Sequence, residues 1–137
     1  MSPSRQTVVL IDDDESVRRA LGRLLRSAGL VLEAFATAEE FLQAAGRREP
    51  DCLILDVHLP GLSGLELQAR LAAEGRCVPV VFITAFAEEQ VRGPALRAGA
   101  IAFLAKPFEE RSLLDAVARA LCFRRHGAED EAPSGNG

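Results

Sequence analysis

Residues 52 to 64 read Cys52-Leu53-Ile54-Leu55-Asp56-Val57-His58-Leu59-Pro60-Gly61-Leu62-Ser63-Gly64. Four apolar residues run into an aspartate with no polar position among them, as in a strand covered on both faces of a parallel sheet. The loop that follows carries Pro60-Gly61, and Ser63 with Glu66 spells a capping box opening a helix that ends near Gly75. A buried strand, a short loop and a helix make one βα unit.

The unit recurs upstream. Residues 7 to 11 form an apolar, β-branched run that ends on Asp12-Asp13-Asp14. Val17, Leu21, Leu24, Leu25 and Ala28 then recur at helical spacing, with Asp14 to cap the start and Gly29 to end a helix of about 14 residues. Residues 31 to 35 read as a second strand, and Thr37 with Glu40 as a capping box for a short helix closing near Gly46. Downstream, residues 79 to 84 form an apolar strand ending in the Thr84 hydroxyl, and residues 101 to 104 a fifth strand before Lys106-Pro107. Leu113, Val117 and Leu121 mark the buried face of a last helix. Five strands alternating with helices require crossover connections, and the fold class is therefore α/β, a doubly wound five-stranded parallel sheet with helices on both faces. One domain is expected over residues 1 to 123, followed by a flexible tail over 124 to 137, whose charges and Pro133-Ser134-Gly135 bury too little surface to order themselves.

Composition narrows the function. A chain of 137 residues with 48% hydrophobic content can bury one ordinary core. With 16 basic against 20 acidic residues there is no surplus of cations to neutralise nucleic-acid phosphates, so direct nucleic-acid binding is not expected. Cys52, Cys77 and Cys122 stand far apart without a CxxC pair, which suggests neither a disulfide framework nor a zinc site; they read as small core fillers in a reducing cytoplasm. No apolar stretch approaches a membrane span, and the first residues lack the apolar run of a secretory signal.

In an open parallel sheet, ligands bind beyond the carboxyl ends of the strands. Those ends supply Asp12 and Asp13, Asp56, Thr84 and Lys106. Crowded carboxylates raise one another's proton affinity unless a cation sits among them. Magnesium suits such a site, with manganese as an alternative, because it binds one or two carboxylates and keeps room for water and phosphate oxygens. Asp13 and Asp56 are expected to coordinate it directly and Asp12 through water. Asp56 can also act as a nucleophile toward phosphorus, with Lys106 and Thr84 gripping the remaining oxygens.

Over roughly residues 6 to 123 the chain resembles the receiver domain of two-component response regulators. The resemblance rests on Leu10-Ile11-Asp12-Asp13-Asp14, on Leu55-Asp56-Val57-His58-Leu59-Pro60-Gly61-Leu62-Ser63-Gly64, on Phe82-Ile83-Thr84-Ala85, and on Gly99-Ala100 with Phe103-Leu104-Ala105-Lys106-Pro107-Phe108. Within the family it is most similar to the nitrogen-fixation regulator branch, whose full-length members usually add a C-terminal helix-turn-helix. The likeness implies a flavodoxin-like sheet in the order 2-1-3-4-5, phosphotransfer from a sensor histidine kinase to Asp56, and a metal ligand from the backbone carbonyl of His58. It also implies switching through Thr84 and Phe103, and output through a surface made by helix four, strand five and helix five, including a phosphorylation-dependent homodimer. Two positions depart from the family pattern. Gly93-Pro94 is expected to make the fourth helix start late, kink or move, and Phe86 places bulk beside the phosphorylation site.

Other readings are weaker. Asp12 to Asp14 could be only an acidic helix cap, Asp56 only a turn residue, and Lys106 only a surface lysine, but their joint placement disfavours all three. The His58 imidazole is expected to have no chemical role, and His126 to be inert. A magnesium-dependent aspartyl phosphatase would need a second acid two residues after its nucleophile, where His58 stands. A non-phosphorylated pseudo-receiver scaffold would lack Asp13, Asp56 or Lys106, and all three are present. Neither a hydrolase nucleophile elbow nor a P-loop is completed by the glycines present.

Overall fold

The computed structural model describes residues 6–44, 49–85 and 89–131, with side chains for all of these except 89 and 124–131. Five strands, β1 (Thr7–Ile11), β2 (Val31–Phe35), β3 (Cys52–Asp56), β4 (Val80–Thr84) and β5 (Ala102–Ala105), pair in parallel in the order β2-β1-β3-β4-β5. Between and after them lie α1 (Glu15–Ser27), α2 (Ala38–Gln43), α3 (Gly64–Ala73), α4 (Glu89–Arg97) and α5 (Glu110–Glu131). This is the doubly wound, flavodoxin-like sheet expected from the sequence.

Alternation along the strands divides the core. Val8, Leu10, Cys52, Ile54, Val81 and Ile83 pack with Leu21 and Leu25 of α1 and with Leu113 and Val117 of α5. The intervening positions Val9, Ile11, Leu53, Leu55 and Phe82 pack with Phe41 of α2, Leu67 and Leu71 of α3, and Ala95 of α4. Side chains of successive strand residues point to opposite faces, so each apolar strand serves both layers. The central β3 and β4 are buried at every position and are apolar up to their last residues, whereas edge strand β2 is not fully buried and carries the charged Glu33.

Caps position the helices. Asp14 accepts from Ser16 N at 2.8 Å and starts α1. Ser63 and Glu66 form the full capping box expected of α3. The Thr37 box is half made: Thr37 accepts from Glu40 N, but Glu40 Oε1 reaches Ala36 N and not Thr37 N. Gly46, the expected end of α2, lies outside the described residues.

Three expectations need correction. Of the outcomes expected of Gly93-Pro94, a late start of the fourth helix is not what is seen: the pair lies inside α4, which is already helical at Glu89, and Ala98 N closes the helix end by donating to Pro94 O at 2.9 Å. Proline removes one donor without ending the helix. Helix α5 continues past residue 123 to Glu131, into the segment read as a tail. Among the α5 residues with described side chains the last buried one is Leu121, and in the sequence beyond it Arg124, Arg125, Ala128, Glu129 and Glu131 keep helix propensity, against Gly127, where the apolar pattern has ended. Of the cysteines, only Cys52 fills the core; Cys77 and Cys122 are exposed.

Candidate functional site

The carboxyl ends of β1, β3, β4 and β5 meet at one edge of the sheet. Ile11 is in register with Leu55, Asp56 with Ile83, and Thr84 with Ala105, so Asp12, Asp56, Thr84 and Lys106 are brought together by strand pairing. Asp12 is fully buried and held at each of its oxygens. Its Oδ1 accepts from Asp14 N at 2.9 Å, its Oδ2 from Lys106 Nζ at 2.8 Å, and its main-chain oxygen from Arg18 Nη1 at 2.8 Å. Asp56 is buried too; its Oδ1 accepts from His58 N at 3.0 Å, and its Oδ2 lies 3.6 Å from Lys106 Nζ. Asp13 is exposed at the rim, yet one carboxylate oxygen each from Asp12, Asp13 and Asp56 lie within 4.8 Å of one another.

Electrostatics follow from that crowding. Burial, reinforced by the charges of Asp12 and Asp13, raises the Asp56 carboxyl above its ordinary range against the opposing pull of the His58 N–H and Lys106. Burial alone would lower Lys106, but the hydrogen bond and charge of Asp12, with the charge of Asp56, hold its ammonium above its usual value. Three acids outnumber the Lys106 ammonium and the Arg18 guanidinium beside them and leave net negative charge, and an all-oxygen donor set of this kind fits a hard divalent ion.

Thr84 is fully buried at the end of β4, and its carbonyl accepts from Lys106 N at 2.7 Å. Phe103 is half-buried on the face shared with α4 and stands 6.1 Å, ring to ring, from Phe82. His58 is exposed and touches Asp56 through its main chain. Phe86 and the side chain of His126 lie outside the described residues. Two positions escaped the sequence reading. Arg18 stands six residues beyond the carbonyl it binds, with only its charge to mark it. Gly64 packs so close to the strand that a Cβ there would come 2.4 Å from Asp56 O, which explains why a glycine opens α3.

Residues 8–118 match the response regulator receiver domain family. The chain belongs to that family. Curated relatives of this receiver domain include nodulation protein W of Bradyrhizobium diazoefficiens, 44% identical over 117 residues, which cover 85% of the chain and 52% of that protein. The transcriptional regulatory protein FixJ of Azorhizobium caulinodans is 37% identical over 119 residues, 87% of the chain and 56% of FixJ, in keeping with the nitrogen-fixation branch. Among solved structures, the response regulator StyR superposes with a TM-score of 0.85 at 43% identity, over 97% of the chain and 67% of StyR. The receiver domain spans about half the length of the curated relatives it matches. Among the described residues, no helix is long and apolar enough to cross a membrane.

Proposed function

We propose that the chain is a phosphoacceptor switch of a two-component system, taking a phosphoryl group onto Asp56 from the phosphohistidine of a sensor histidine kinase in the cytoplasm. The observation that carries this reading is the position of the Asp56 carboxylate, buried at the end of β3 between a lysine and two further acids. An oxygen–phosphorus bond would form to Asp56 as the phosphorus–nitrogen bond breaks and the imidazole leaves.

Asp13, Asp56 and the His58 carbonyl would hold magnesium, or manganese, with Asp12 acting through water. The bound ion would offset carboxylate charge and take up phosphoryl oxygens. The remaining work falls to the chain. The His58 N–H orients the Asp56 carboxylate, and Lys106 is placed to exchange its contact with Asp12 for one with a phosphoryl oxygen. The Thr84 hydroxyl would take another oxygen. Its carbonyl is tied to Lys106 N, so movement at the phosphoryl group would pass into β5 and Phe103. The domain would support its own phosphorylation and dephosphorylation without being a dedicated enzyme.

Output would be a change in the surface of α4, β5 and α5 that favours a homodimer or another partner, by shifting an equilibrium between two conformations. Hydrogen exchange and light scattering with and without beryllofluoride test this output. Slower exchange across α4 and a doubled mass are expected. Equal exchange and an unchanged mass would contradict the switching mechanism.

A further inference from the structure

We infer that Glu39, on α2, is a positioning residue for the turn that follows Asp56, and that it sets the affinity of the acidic site for magnesium without touching it. This role rests on the reading of Asp56 and the His58 carbonyl given above.

The turn from Val57 to Ser63 leaves β3, exposes His58, Pro60 and Gly61, and returns to start α3. Its base is well fixed. His58 N donates to Asp56 Oδ1, Gly64 N donates to Val57 O at 3.0 Å, and Leu59 is buried. The tip is tied to another element by Leu62 N, which donates to Glu39 Oε2 at 2.8 Å across 23 residues of sequence. A second observation shows that this carboxylate is seated against the loop backbone. Gly61 adopts φ +73°, and a Cβ there would stand 2.6 Å from the same Glu39 Oε2. Residue 61 is glycine for its backbone conformation, and the missing Cβ leaves room for the end of the Glu39 side chain against the loop.

Glu39 also lies in the first turn of α2, where the helix dipole favours a negative charge. The side chain therefore joins the start of one helix to the loop that carries His58. Groups that orient ligand-bearing segments from outside the coordination shell commonly change metal affinity by about 10- to 100-fold. A solvent-exposed clip acting through the backbone should do less, about threefold to tenfold.

The test is a magnesium titration of wild type, Glu39→Gln and Glu39→Ala, followed by amide chemical shifts at Asp13, Asp56 and His58. The exchange rate of the Leu62 amide and the thermal midpoint are measured alongside. Gln keeps an acceptor oxygen and should match wild type within about twofold in affinity. Ala should weaken magnesium binding about threefold to tenfold and speed Leu62 exchange, with the midpoint lowered by no more than roughly a few degrees for the lost first-turn charge and exposed hydrogen bond. Equal magnesium affinity in Glu39→Ala and wild type, with the Leu62 amide released, would overturn the inference. So would a Gln variant as weak as Ala, since charge and not the clip would then be responsible. A wild-type protein whose Asp13, Asp56 and His58 amides ignore millimolar magnesium would instead refute the metal site itself, and the role of Glu39 with it.

Discussion

Lys106 Nζ lies 2.8 Å from Asp12 Oδ2 and 3.6 Å from Asp56 Oδ2, so the ammonium is held tightly by the acid of β1 and loosely by that of β3. Asp12 is fully buried, while Lys106 retains a fifth of its exposure. The pair keeps a buried charge compensated while leaving the cation room to move toward Asp56.

Removing that cation should therefore cost stability. Lys106→Ala leaves Asp12 charged and buried beside Asp13 and Asp56, and the loss should be about 1 to 3 kcal/mol, reduced from that of a wholly buried pair by the solvent access of the lysine. Urea unfolding is the measurement, with circular dichroism showing that the fold is retained. An unchanged midpoint would mean that Asp12 does not depend on this contact.

Magnesium should do the reverse. A ligand bound only by the folded state stabilises it by about 1.4 kcal/mol at ten times its dissociation constant, and here it also relieves repulsion among Asp12, Asp13 and Asp56. Without metal, Asp13→Ala should be more stable than wild type, because one of the crowded charges is gone; with metal, it should gain nothing. A thermal shift of equal size in both proteins would place magnesium elsewhere.

Cys52 provides a pH signature of the core. Burial, with a smaller contribution from Asp51, pushes its thiol up to about 12. In the unfolded chain the thiol loses its proton as pH passes about 9, whereas the folded protein retains it. Unfolding then releases a proton, and stability should fall by roughly 1 kcal/mol per pH unit across the window between those values. Cys52→Ala should remove this slope. Iodoacetamide at pH 8 should label the exposed Cys77 and Cys122 in the native protein and reach Cys52 only after unfolding.

Much of this was legible in the sequence because each signal was local. The run from Cys52 to Leu55 showed its double burial by having no polar position, and Ser63 with Glu66 gave a cap within four residues. The site was legible because parallel strands carry their C-terminal residues to a common edge. What was missed depends on distance or on competing preferences. The contact of Glu39 with Leu62 spans two elements and leaves no periodic trace. Cys77 and Cys122 were assigned to the core by residue type, yet one sits exposed in a loop before β4 and the other exposed on α5 beside the buried Leu121. The extent of α5 was missed because helix propensity continued where hydrophobic periodicity had stopped.

The central claim is that Asp56 accepts a phosphoryl group, and intact-protein mass spectrometry tests it most directly. Wild type and Asp56→Asn are incubated with a small phosphodonor such as acetyl phosphate, with magnesium or with excess chelator. The account predicts one phosphoryl adduct of about 80 mass units on wild type with magnesium, and none on Asp56→Asn or in chelator. An equal adduct on Asp56→Asn, or no adduct on wild type, would contradict it.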